Sequence, residues 1–188
     1  MTRRSDWITV SRSGLPFRPF DPRPEHIALE DIACGLSRAA RWSGQTVVAY
    51  TVAQHSVEVS ERLSLPGVAA WGLLHDAAEA YLGDCPRPLK ERLFVQLERG
   101  GGAFEMLVGV EMRILEAVAE RFHLAWPIPK SVWEVDDRYL ATERRDLFGL
   151  DPPATALEYE PYPERIIPQA GPIAHRLFLA RAKELWIE

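Results

Sequence analysis

The chain has 188 residues, 47% of them hydrophobic, with a formal net charge of -5 and two cysteines. This is enough apolar chain for one full core, so residues 1–188 are expected to form a single domain. The acidic balance argues against a nucleic-acid polymer as partner, since neutralising a phosphate backbone needs a surplus of Lys and Arg on one face. Cys34 and Cys85 are too few for a disulfide framework, and no apolar run reaches signal-peptide or membrane-spanning length, so a cytoplasmic chain without a membrane partner is expected.

Taken in order, residues 7–10 and 15–17 read as a short hairpin turned at Gly14. Ile32, Ala33, Leu36, Ala39 and Ala40 recur at helical spacing, which predicts a first helix from about 28 to 41 and puts Arg41 and Trp42 at its end. Thr51-Val52-Ala53-Gln54 is a capping box, so a second helix runs from Thr51 to Leu63 and carries His55 in its second turn. A third opens at Pro66 and closes at Gly83, with His75 and Glu79 one turn apart. A short helix is predicted over 89–99, ended by Gly100-Gly101-Gly102. An amphipathic helix comes next, from Phe104 through Glu111 to Phe122, stopped at Trp126-Pro127. Two more are expected, over 130–148 and 173–186, and the Pro-rich stretches 16–24 and 152–172 read as ordered loops because aromatic and aliphatic residues are interleaved with the prolines. The fold class is all-α, with a short N-terminal β-hairpin.

His75, Asp76 and Glu79 interrupt an apolar helical run that otherwise has no use for ionisable groups. Such side chains are seldom buried unless paired or bound to metal. His55 lies on the preceding helix, and a carboxylate lies on the 130–148 helix, so three helices can bring two imidazoles and two carboxylates together. Mixed nitrogen and oxygen donors suit a divalent transition metal (Mn, Co, Ni, Fe or Zn) rather than calcium.

The runs Val52-Ala53-Gln54-His55-Ser56, Leu73-Leu74-His75-Asp76-Ala77-Ala78-Glu79 and Leu82-Gly83-Asp84-Cys85-Pro86-Arg87-Pro88-Leu89-Lys90 resemble the signature of HD-domain phosphohydrolases. The likeness is nearest to bacterial 5′-deoxynucleotidases and the phage enzymes that remove phosphates from deoxyadenosine nucleotides. It covers residues 7–148, and 150–172 have no counterpart in it. It implies an HD-type helical bundle, a homo-oligomer, and one divalent cation held by His55, His75, Asp76 and a downstream aspartate. Within Val135-Asp136-Asp137-Arg138, Asp136 is favoured over Asp137, because its helical neighbours Val132, Trp133, Tyr139 and Leu140 continue into Glu143 and Leu147. The family pattern points the same way.

Glu79 is expected to orient a water or take its proton, whereas its bland reading is a solvent-facing helix glutamate. By family position Asp84 lies near the sugar and leaving oxygen, Arg41 clamps phosphate, and Trp42 packs against the deoxyribose, leaving no room for a 2′-hydroxyl. Lys90 and Arg87 are weaker phosphate partners, and His26, His123 and His175 have no ligand-like company. The resulting expectation is metal-dependent hydrolysis of phosphate from (deoxy)nucleotides. The alternatives are a hydrolase of another phosphate ester or signalling nucleotide, and a metal-holding nucleotide sensor without turnover.

Overall fold

The computed structural model describes residues 7–10, 12–97, 102–149 and 159–187. The expected mostly helical chain with a short N-terminal hairpin is what it shows. Strands β1 (Ile8–Thr9) and β2 (Pro16–Phe17) pair antiparallel, with Gly14 at φ +75° in the turn. Ser11 lies outside the described residues. The hairpin turn is held by Asp31, whose Oδ1 accepts from the backbone N–H groups of Arg12 and Ser13.

Helix α1 (Leu29–Leu36) is shorter than its periodicity predicts. Beyond Leu36 the chain turns, and Arg41–Gly44 form a 3₁₀ turn in which Trp42 and Ser43 have φ of 58° and 50°. Arg41 and Trp42 therefore lie on a tight left-handed turn and not at a helix end. The two arms of the turn are joined where Arg41 N–H donates to Tyr50 O at 3.0 Å. Helix α2 (Val52–Glu61) starts at the expected cap, with Thr51 accepting from Gln54 N–H. The reciprocal half of the capping box is not made, because the Gln54 side chain is drawn instead to Glu58, Ile167 and Gln169.

Helix α3 (Pro66–Leu74) stops just where the polar residues begin, and a short helix α4 (Glu79–Leu82) comes after it. Between them the backbone bonds tighten, Ala77 N–H donating to Leu74 O and Glu79 N–H to Asp76 O, each at 2.9 Å. The continuous helix expected over 66–83 is thus broken by a turn of 3₁₀ type, which is common where side chains impose a local geometry. Gly83 ends α4 at φ 82° with an extended ψ of 157°.

The helix expected over 89–99 is replaced by a one-turn helix α5 (Arg87–Lys90) and strand β3 (Phe94–Gln96). Strand β3 pairs antiparallel with β4 (Phe104–Met106), Phe94 facing Met106 and Gln96 facing Phe104. Helix α6 (Leu107–Arg121) consequently begins at Leu107, three residues later than its apolar pattern suggests. A short apolar run such as Leu93-Phe94-Val95 does not by itself distinguish helix from strand, and cross-strand pairing decides.

Helices α7 (Lys130–Leu147) and α8 (Gly171–Glu184) match their predicted spans closely. One cluster of buried side chains, including Phe17, Ile32, Trp71, Leu74, Ile114, Val132, Leu147 and Phe178, joins the long helices. Helices α2 and α3 pack tightly at Gly72, where a Cβ would meet Leu63 Cδ1 at 2.7 Å and Ser60 Cα at 2.9 Å. The Pro-rich segment is ordered over 159–170, where Arg145 donates to Tyr162 O and Glu164 O and Asp146 accepts from Ile166 N–H. Residues 151–158 lie outside the described residues. Among the described residues, no helix is long and apolar enough to cross a membrane.

Candidate metal centre

The α2–α3 contact brings two imidazoles together, their planes tilted by 57°. His55 Nε2 lies 3.3 Å from His75 Nε2, and Asp76 Oδ2 lies 3.6 and 3.4 Å from those two atoms. The three donor atoms fall within 4.8 Å of one another, and all three side chains are buried or nearly so. His55, His75 and Asp76 can therefore hold a metal ion. Helix α7 adds Asp136, whose Oδ1 lies 3.1 Å from His55 Nε2 and 3.9 Å from His75 Nε2. Ligands about 2.1 Å from a shared cation stand roughly 3 to 3.5 Å apart. The 3.3, 3.4 and 3.6 Å separations among His55, His75 and Asp76 are close to that, while the 3.9 Å from His75 to Asp136 is wider. Asp137 points away, to Arg87 at 3.6 Å on the surface.

The other ring nitrogens fix which atom is offered. His75 Nδ1 lies 2.8 Å from Gly72 O, and a carbonyl can only accept, so Nδ1 carries the proton and Nε2 faces the cluster. His55 Nδ1 donates in the same way to Glu143 Oε1 at 2.7 Å. A hydrogen bond from the second ring nitrogen is the usual device for orienting a metal-binding histidine. The tightened turn at 75–78 has a role here as well, because it brings the adjacent His75 and Asp76 side chains to one point.

Arg41 enters the same cluster. Its Nη1 and Nη2 lie 3.2 Å from Asp76 Oδ2 and 3.5 Å from Asp136 Oδ1, and its Nε donates to Glu143 Oε2 at 3.3 Å. Burial alone would push the Asp136 carboxyl up, but the hydrogen bond and charge of His55, and then the charges of His75 and Arg41, hold it well below the usual carboxylate range. For His55, burial and the nearby Arg41 act to lower the imidazole, yet Glu143 and Asp136 outweigh them and raise it to about 10.

The cluster opens into a cavity of about 820 Å³ lined by Arg41, Trp42, His75, Asp76, Glu79, Asp84, Lys90, Glu111 and Asp136, among others. Glu79 is buried, not a solvent-facing helix residue, and burial together with the charge of Asp76 pushes its carboxyl up. Its Oε1 pairs with Lys90 Nζ at 3.2 Å, while Oε2 is buried without a hydrogen-bond partner. Asp84 likewise has a buried, unpartnered Oδ2. Lys90 also reaches Glu111 Oε1 at 2.9 Å, so it bridges two carboxylates. Trp42 donates through Nε1 to Glu143 Oε2 at 2.8 Å and packs edge-on against Phe148. Arg87 lines the rim but is exposed, and His26, His123 and His175 do not line the cavity.

Two acidic residues of this region, Glu143 and Glu111, are absent from the predicted site. The signal was available: each falls on the apolar face of an amphipathic helix, where a charge needs a partner.

Comparison with known proteins gives a relative along nearly the whole chain. The uncharacterized protein YfdR of Escherichia coli (strain K12) is 36% identical over 177 residues, 92% of this chain and 92% of its own. The chain belongs to the YfdR family. An uncharacterized protein of Rhodobacter capsulatus is 39% identical over 128 residues, 64% of this chain and 60% of its own. No family model matches the chain. The match to YfdR extends through α2, the end of α3 and α7, which position His55, His75, Asp76 and Asp136, because so little of the chain falls outside it.

Proposed function

We propose that this member of the YfdR family is a divalent-cation-dependent hydrolase of (deoxy)nucleoside phosphates, of the HD-domain type that its motifs resemble. The observation that carries this reading is the convergence of His55, His75 and Asp76, with Asp136 against His55, beside a cavity that also contains two buried, unpartnered carboxylate oxygens, of Glu79 and Asp84. Two imidazoles and two carboxylates suit Mn, Co, Ni, Fe or Zn. When bound, such a cation polarises a phosphate oxygen and acidifies a water.

The chain's own residues supply the rest. Arg41 has Nη1 and Nη2 on the carboxylates of Asp76 and Asp136 and its Nε on Glu143, which leaves two of the five guanidinium N–H bonds to donate to an incoming phosphate. Glu79 Oε2 accepts the proton of the attacking water as the new O–P bond forms, and Lys90 at Oε1 keeps the carboxylate oriented. Asp84 hydrogen-bonds the sugar or the leaving oxygen as the old P–O bond breaks. The bulk of Trp42 selects against a 2′-hydroxyl.

The test is a phosphate-release screen of the common ribo- and deoxynucleotides with Mn²⁺, Co²⁺, Ni²⁺, Fe²⁺ and Zn²⁺. Release of phosphate, pyrophosphate or triphosphate identifies the bond cut. Nucleotide binding without release under every metal would favour a sensor, and release only from other phosphate esters would move the substrate class. Undiminished hydrolysis after verified metal removal would defeat the mechanism.

A further inference from the structure

Glu143 does not line the cavity and has no solvent exposure, so it has no direct route to a substrate. A fully buried carboxylate is costly unless every lone pair finds a donor. The donors it has found all belong to the site. Oε1 accepts from His55 Nδ1 at 2.7 Å, and Oε2 accepts from Trp42 Nε1 at 2.8 Å and from Arg41 Nε at 3.3 Å. One carboxylate thus joins a metal ligand on α2 to the turn that carries Arg41 and Trp42.

That turn is in need of a fastening. Trp42 and Ser43 both occupy the left-handed region, with φ of 58° and 50°. Bulky residues rarely stay there unless their surroundings over-determine them. The backbone contributes Arg41 N–H to Tyr50 O and Gln45 N–H to Trp42 O, each at 3.0 Å, which closes the turn but does not aim the side chains. Glu143 aims them. Its Oε2 takes the indole N–H, fixing the ring plane beside the cavity, and takes the guanidinium Nε, leaving Nη1 and Nη2 directed at Asp76 and Asp136.

We infer that Glu143 is a positioning residue that locks the Arg41–Trp42 turn to His55, so that cation affinity and sugar selection are coupled through one buried carboxylate. The inference rests on the proposed function for its substrate, but the lock itself is a property of the folded chain. Glu143→Gln is a discriminating variant because it preserves volume while offering an acceptor oxygen at one end only. The amide NH₂ at the other end must then face a donor, either His55 Nδ1–H or the Trp42 and Arg41 N–H groups, so that connection breaks, and the surviving one weakens from a charge-assisted to a neutral hydrogen bond.

The experiment measures Mn²⁺ affinity by titration calorimetry and the ratio of specificity constants for one matched deoxy/ribo nucleotide pair, in the parent, Glu143→Gln, Trp42→Phe and the double variant. Glu143→Gln should bind Mn²⁺ about 10- to 100-fold more weakly, in the range found when an outer partner of a metal-binding histidine is lost. Its preference for the deoxy sugar should also fall. Trp42→Phe, which keeps a ring but lacks the N–H, should relax sugar selection with Mn²⁺ affinity as in the parent. The double variant should relax it no further, because the two changes break one connection. Parental Mn²⁺ affinity and sugar preference in Glu143→Gln, with only a lower melting temperature, would reduce Glu143 to a structural residue and overturn the inference. If Glu143→Gln does not fold, Glu143→Asp keeps both acceptor oxygens on a shorter arm and must show the same paired losses.

A second readout separates this inference from the proposed function. In chelator-treated protein, the ¹⁵N–¹H resonances of Trp42 Nε1 and His55 Nδ1 should both shift in Glu143→Gln. Should the parent neither bind Mn²⁺ nor turn over nucleotides, the proposed function fails and these resonances still decide the lock. Movement of both upholds it, and movement of one or neither overturns it.

Discussion

His55 Nε2 and Asp136 Oδ1 stand 3.1 Å apart, one from the second turn of α2 and the other from the middle of α7. Asp137, the next residue, faces the opposite way to an exposed partner, Arg87, at 3.6 Å. Asp136→Ala should therefore lose its cation, with affinity down by more than about 100-fold, since loss of even an outer partner costs 10- to 100-fold. Asp137→Ala should keep it, because an exposed ion pair contributes only about 0–1 kcal/mol. Metal analysis of the two purified variants checks the assignment, and the reverse pattern would mean the ligand is one residue off.

Glu79→Gln should retain the cation and turn over about 10²- to 10⁴-fold more slowly, the usual contribution of a positioned acid or base. Single-turnover rates at saturating Mn²⁺ provide the measurement. A rate equal to the parent's would make Glu79 a bystander and shift attention to Asp84, the other cavity residue with an unpartnered buried oxygen.

Lys90→Met should destabilise the fold by about 1–3 kcal/mol near neutral pH, because it leaves Glu79 and Glu111 without the cation they share. The sign with pH comes from their carboxyls, both raised, chiefly by burial. A raised acid contributes stability below its unfolded value, about 4.3, and loses it as pH rises. The variant's deficit should accordingly be larger at pH 8 than at pH 5. Urea denaturation at the two pH values measures it, and an equal or opposite deficit would contradict the buried pairing.

Cation binding should strengthen with pH. His55 must offer a lone pair at Nε2, whereas hydrogen bonding and charge from Glu143 and Asp136 hold its imidazole at about 10. A proton therefore leaves as the cation enters, and apparent affinity should rise by about tenfold per pH unit between neutrality and pH 10 from this group. In chelator-treated protein the same raised value contributes stability that is full below about 6.5 and is lost as pH rises through about 10. Calorimetry in buffers of different ionisation enthalpy counts the proton. Absence of proton release would show that His55 is already neutral when the cation arrives.

Much of this site is legible in the chain itself. The Thr51 cap, the apolar face of α7 that Asp136 and Glu143 interrupt and the presence of His75-Asp76 within an apolar run all depend on near neighbours in sequence, which a helix brings together on its own. Those helices place His55, His75 and Asp136 on inward faces, and the resemblance of the motifs to HD-domain phosphohydrolases is what singles them out, with Asp76, as a ligand set. Tertiary packing decided what local periodicity does not encode. It tightened 75–78 into a 3₁₀ turn, and paired Phe94 with Met106 where helix and strand patterns are equally served by a short apolar run. Packing also brought Arg41 onto the carboxylates of Asp76 and Asp136 and set Lys90 between Glu79 and Glu111. Glu143 marks the boundary between the two. Its position on the α7 face comes from the sequence, but the donors that satisfy its buried charge come from α2 and from a left-handed turn, and only the folded chain brings those together.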